Sequence, residues 1–171
     1  MAIFTPLDVA RGLAEFIAGK MQEHDEHVTV IRDDGTKEIR EFRVYAGFLP
    51  RARTNEQARK LCPAVVVRPE MVTDEREQSK VSIVVYITVY DDDLMHGADS
   101  LFQVLEFVRV QLLTLQPTCN RYWIAGGIKT TIPDDMPYPQ WIGLMEFDVF
   151  VPHPRAGNPT LDKYTSRWQK K

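Results

Sequence analysis

Cysteine is scarce in this 171-residue chain: Cys62 and Cys119 are the only two, and they lie far apart with no CxxC spacing. No cysteine-based metal or redox motif is therefore present, and two reduced, mostly buried thiols are expected rather than a disulfide. No apolar run approaches the roughly 20 residues that a helix needs to cross a bilayer. The opening Met-Ala-Ile-Phe-Thr-Pro lacks a basic region, an apolar run and a small-residue cleavage site, so no secretory leader is expected. Phosphate-binding glycine fingerprints, a Ser/His/Asp arrangement and a spaced pair of catalytic carboxylates are all missing. The histidines (His24, His27, His96, His153) are scattered over polar segments, where they face solvent more often than they catalyse. Positive charge is not in excess either. A formal net charge of -3 argues against broad electrostatic binding of nucleic acid.

What is there belongs to an ordinary folded protein, with 44% hydrophobic and 26% charged residues. That length supports one domain with a real core, placed here at residues 1–152 and followed by a tail at 153–171. The most informative stretch runs from Pro137 to Pro152. Trp141, Gly143, Met145, Phe147, Val149 and Val151 share one parity; Ile142, Leu144, Glu146, Asp148 and Phe150 share the other. Apolar residues on both faces predict an interior strand covered on each side, with Glu146 and Asp148 marking where one face loses its cover.

Taken from the start, Thr5-Pro6-Leu7-Asp8 is a helix-opening signal, with Thr5 as N-cap, Pro6 at the first position and Asp8 three residues in. Leu7, Ala10, Leu13, Ala14, Ile17 and Met21 continue it as an amphipathic helix to about Gln22, widened by Val9 and Phe16. His24-Asp25-Glu26-His27 offers metal-ligand residue types, but no helix aligns the imidazoles, so it reads as a solvated turn. Val28 to Arg32 predicts a strand, and Asp33-Asp34-Gly35-Thr36 a hairpin turn. The returning strand passes Ile39, Phe42, Val44 and Phe48 and changes parity between Ile39 and Phe42, which calls for a bulge or bend. Its many charges suit an exposed edge or projecting arm.

The segment from Pro50 to Lys60 clusters positive charge, with Thr54 placed to cap a short helix and Gln57 to complete a capping box. Read alone it is a solvated face; as a contact surface it would take phosphate or an acidic partner. Ala64 to Arg68 predicts a short buried strand, and 69–78 a charged connection. Val81, Ile83, Val85, Ile87 and Val89 then alternate with Ser82, Val84, Tyr86, Thr88 and Tyr90, predicting a strand with a purely aliphatic core face. Asp91-Asp92-Asp93 ends it. Oxygen ligands in a row invite a magnesium reading, but neighbouring residues leave a strand in opposite directions, and a solvated strand end is favoured.

Residues 98–115 predict a second helix that is apolar around most of its circumference, with Gln103, Glu106 and Thr114 as its polar face. Such a helix is covered on two sides within the domain or buried between subunits. Arg121 to Ile132 predicts a strand interrupted by a bulge at Gly126-Gly127, in an antiparallel hairpin with the 137–152 strand. The whole is an α+β domain: a mostly antiparallel, mixed sheet with two main helices packed on one face.

This order, with the charged hairpin, the Val81–Tyr90 strand leading into a helix and the Pro137-Tyr-Pro-Gln-Trp141 approach to the last strand, resembles the tail terminator proteins of long-tailed bacteriophages. That group includes the lambda-type minor tail protein that caps the tail tube. The resemblance covers about residues 5–152; the basic 51–60 segment and the tail make this chain longer than the compact members. It implies a structural virion protein without catalytic residues, cofactor or metal, resident at the tail neck and assembled in the host bacterial cytoplasm. Its implied partners are further copies of itself in a hexameric ring, the tail tube protein and a head–tail connector protein. DNA would slide through the ring without specific binding, and no membrane is involved. The exposed charge of the chain itself nominates Arg40, Arg43, Arg51, Arg53, Arg59, Glu146 and Asp148 as interface residues, and the aromatic character of the tail adds Trp168. A head–tail joining role in the neck is an alternative of the same class. From another class, the Asp91–Asp93 and His96 region is the place where a small enzyme or ligand-binding domain would hold its chemistry.

Overall fold

Thr5 starts the first helix by a reciprocal cap. Its hydroxyl accepts the Asp8 backbone N–H at 3.2 Å, while its own N–H donates to the Asp8 carboxylate at 3.1 Å. With Pro6 pre-set for the first turn, α1 runs Pro6–Glu23. The computed structural model of the protein describes residues 5–31, 36–75, 78–114, 116–118 and 121–151. The expected turn at 33–35, Cys119, Leu115, His153 and the tail with Trp168 lie outside these residues. The buried stripe of α1 is Val9, Ala10, Leu13, Ala14, Ile17 and Met21. Leu7, expected in that stripe, is exposed, because the helix turns its Val9 side to the core.

Two sheets follow. β1 (His27–Ile31) and β2 (Lys37–Glu41) pair antiparallel as a separate two-stranded arm. β3 (Arg43–Ala46), β4 (Ala64–Asp74), β5 (Ser79–Tyr90), β6 (Trp123–Thr131) and β7 (Gln140–Val151) form the main sheet in the order β3-β4-β5-β7-β6. The parity change at Phe42 is where the chain leaves the arm and joins the main sheet. Ile39 is in solvent, whereas Phe42 and Val44 pack against the core. A short helix, α2 (Asn55–Leu61), connects β3 to the parallel strand β4.

The expectation of a charged connection at 69–78 is corrected: β4 runs on to Asp74 and pairs with β5 as far as Asp74↔Ser79, with a register shift between Pro69 and Met71. Its outer half reads as loop because few of its side chains are buried, yet its backbone groups are paired all the same.

Every core-face residue of β5 (Val81, Ile83, Val85, Ile87, Val89) is buried, as are Met145, Phe147 and Val149 of β7. Against them lie α1 and α3 (Asp99–Thr114), which presents Leu101, Val104, Leu105, Val108 and Leu112. Both long helices therefore cover the same face, and the fold is α+β with a mixed, mostly antiparallel sheet. β7 is interior in the sheet, between β5 and β6. Cover on both of its sides is not found among the described residues, where its Glu146 and Phe150 are exposed. Opposite it, the β6 register jumps from Ala125↔Asp148 to Lys129↔Glu146. The two extra residues bulge at Gly126-Gly127, and Gly126 takes φ +79°, a conformation that costs glycine little.

Candidate protein-interaction surface

The basic residues singled out in the sequence meet where the arm approaches α2. Thr54 caps α2 by accepting the Gln57 N–H at 3.2 Å. The Gln57 side chain reaches back one residue further than a capping box requires, to the Arg53 N–H at 2.8 Å. These bonds start α2, and Arg43 N–H donates to the Pro63 carbonyl at 3.1 Å just past its end, tying the β2–β3 corner to it. Between them opens a cleft of about 850 Å³, lined by Arg40, Arg43, Arg59 and Lys60, by Glu38, Glu41 and Glu56, and by the apolar Ile39, Phe42 and Cys62. Arg40, Arg43 and Arg59 are thus brought together from separate elements. Arg51 and Arg53 lie just outside, on an adjoining hollow of about 420 Å³ that also has Lys60 on its wall.

The charges in this cleft are not all equal. Arg40 is spoken for: its guanidinium is 2.8 Å from Glu38, with only 13% of its side chain exposed. Lys60 pairs with Glu56 at 2.8 Å along α2. Arg59 lies 5.8 Å above the Tyr90 ring, a cation–π arrangement that leaves its donors available. Arg43, Arg51, Arg53 and Arg59 form no ion pair among the described residues. At the cleft floor Cys62 is buried, near the Thr88 hydroxyl at 3.6 Å and the Gln140 amide at 3.8 Å. Burial pushes its thiol up, against smaller lowering effects of Thr88, Arg40 and Gln140. A thiol held protonated is a poor nucleophile, which gives it a packing role.

Glu146 and Asp148 stand on the sheet face away from the helices, as their parity predicts. They do not form a pair of free carboxylates. Asp148 accepts from the Ser82 hydroxyl at 2.6 Å, and Glu146 lies 3.5 Å from the Lys129 ammonium. The same face carries a network that sequence reasoning missed. Arg68 donates to Glu70 and to the Tyr86 hydroxyl, its guanidinium 4.5 Å from the Tyr86 ring centre and 5.5 Å from that of Phe48. Burial, with the Glu70 carboxylate, raises the Tyr86 phenol, and Arg68 opposes this. The β4–β5 register brings Arg68, Glu70 and Tyr86 together, which a local pattern does not reveal.

No family model matches the chain, and no curated protein matches it.

Asp91–Asp93 and His96, the place nominated for enzymatic chemistry, form a self-bonded turn. Asp91 accepts the Asp93 N–H at 2.9 Å, and Asp93 accepts the N–H groups of Met95 at 2.8 Å and His96 at 3.0 Å. Those two backbone donors hold the Asp93 carboxyl below its usual range. His96 faces Asp99 at 3.4 Å in solvent. Near the other candidate, His24 packs edge-on to Phe107, and His27 Nδ1 is 2.7 Å from the Asp25 carbonyl. No group of three or more metal-ligating side chains occurs among the described residues. No described helix is long and apolar enough to cross a membrane.

Proposed function

We propose that this protein is a structural virion assembly protein of the tail-terminator kind, which closes the phage tail tube as a ring and presents a surface for head attachment. The observation that carries this reading is the outer side of α3. Phe102, Val110 and Leu113 remain exposed there, Phe102 by 53%, although the helix's other side is fully packed. Apolar side chains held out along one helix signal a surface meant for cover by another molecule. A two-stranded arm outside the main sheet, and a sheet face on which Met71, Trp123 and Phe150 are exposed, add surface of the same kind. The net charge of -3 fits a ring through which DNA slides without being gripped.

The test is the mass of the purified protein by light scattering, with electron microscopy, alone and on tail tubes. Rings of six support the reading; a monomer that never assembles, even on tubes, refutes it. Removal of the protein during phage assembly separates the roles within the class. Overlong tubes mean termination, whereas tails of normal length without heads mean joining.

A further inference from the structure

We propose that the cleft between the arm and α2 receives the Asp91–Met95 turn of a neighbouring copy, so that each subunit contacts the next through two different surfaces. This rests on the ring reading above and names the contact that would build the ring. With Glu38 and Glu56 each taken by an ion pair, the cleft offers Arg43 and Arg59, unpaired by any carboxylate among the described residues, against Glu41 alone and beside apolar walls at Ile39 and Phe42. Ile39 is 66% exposed, although it sits between charged neighbours on a short strand. Its surroundings suit an occupant that is acidic and also carries exposed apolar side chains.

The chain itself carries such a segment. Asp92 and Asp93 are exposed, and directly after them Leu94 and Met95 stand out at 76% and 82% exposure. No Lys or Arg occurs between Lys80 and Arg109, or between Lys129 and Arg155, so neither the turn nor the Asp134-Asp135 connection has a basic residue of its own. The turn is a built projection rather than a loose end. The Asp93 carboxylate holds it from within, the Trp141 indole N–H donates to the Asp91 carbonyl at 3.1 Å, and the Tyr138 hydroxyl donates to that of Asp92 at 2.7 Å. Those bonds use carbonyls, which leaves the Asp92 side chain for a partner.

The two surfaces carry opposite charge. Arg59 stacks on Tyr90, the residue before Asp91, so the basic cleft and the acidic turn flank one end of the sheet with opposite signs. Repeated head to tail by rotation, a contact between unlike patches generates a ring, whereas made twice about a two-fold axis it closes a dimer; a closed dimer of the unmodified chain overturns the ring contact. Opposite charge also opposes a turn-to-turn or cleft-to-cleft encounter, where like signs repel.

The experiment uses two full-length variants. One carries Arg43→Glu and Arg59→Glu; the other carries Asp92→Lys, a residue whose side chain takes no part in the cap of the turn. Melting temperatures are measured first, and Arg→Gln and Asp→Asn versions serve where a reversal disturbs folding. Each variant alone should associate at least about tenfold more weakly than the unmodified protein. Mixed one to one, the two should assemble again in alternation, since the native turn of one meets the native cleft of the other and the two reversed surfaces also carry opposite charge. Reversing both surfaces in one chain should restore assembly. Assembly by either variant alone at the unmodified strength, or a mixture that stays monomeric, overturns the pairing and leaves the ring reading standing. An unmodified chain that never assembles overturns both.

Discussion

Leu105 of α3 rests directly on Gly143 of β7: a Cβ built at Gly143 would lie 2.6 Å from one Leu105 methyl and 3.0 Å from the other. The glycine lets the helix come down onto the strand. Gly143→Ala would force a buried leucine off its position, at a cost of about 1–3 kcal/mol. Denaturant titration should show that loss, and Leu105→Ala in the same chain should recover part of it, giving a coupling in a double-mutant cycle. Strictly additive losses would mean that the two residues do not meet as described.

Ile83 and Ile87, both fully buried, face the two helices from the middle of the sheet. Ile83→Ala should cost about 2–5 kcal/mol by the transfer and cavity terms together. Replacing exposed Phe102 by Gln should instead change stability by less than about 0.5 kcal/mol. A large loss at Phe102 would show that the outer side of α3 is covered within the monomer.

The Thr5–Asp8 cap predicts a pH dependence. Hydrogen bonds from Thr5, then Arg11, hold the Asp8 carboxyl below its usual value. A carboxyl depressed in the folded state stabilises above its unfolded pKa, about 3.9, and that contribution is lost as pH falls through the lower folded value. Thr5→Ala should cost about 1 kcal/mol at neutral pH. The difference between the variant and the unmodified protein should shrink below about pH 4. A difference independent of pH would assign the cap to the hydroxyl alone.

Cys62 gives a kinetic prediction. Its thiol is buried and raised, so alkylation of the folded protein at pH 8, mapped by mass spectrometry, should be far slower at Cys62 than in denaturant. Above the ordinary thiol pKa of about 8.5 the unfolded chain ionises while the folded one resists. Cys62 therefore erodes stability as pH rises, and Cys62→Ser should flatten the alkaline limb of the stability profile. Rapid labelling in the native state would place the thiol in contact with solvent.

Much of the architecture was legible because its signals are local. The Thr5 cap, the aliphatic alternation of Val81–Val89, and the Gly126-Gly127 interruption each settle in a few residues what the structure then shows. The outer half of β4 was not legible, since its pairing with β5, rather than its own side chains, makes it a strand. The parallel partnership of β3 with β4 is equally invisible, as it joins segments across an intervening helix. For α3 the apolar circumference was evident, but which side stays exposed depends on where the sheet lies. The site followed the same division. The arginines could be named from charge, yet only the corner at Phe42 and the cap at Thr54 bring Arg40, Arg43 and Arg59 around one cleft. The role of Asp91–Asp93 as one tethered turn depends on Trp141 and Tyr138, which lie far along the chain.

The interior position of β7 also has a consequence in time. On the ribosome, β5 leaves the exit long before its neighbour Gln140–Val151 exists, so one complete edge of β5 must wait unpaired. An open strand edge of that length is a site for pairing with the wrong chain, and such intermediates call for a chaperone. Until the last strand arrives, Trp141 and Tyr138 cannot tether the acidic turn either. Folding and the proposed contact with a neighbour would then become possible in the same late step.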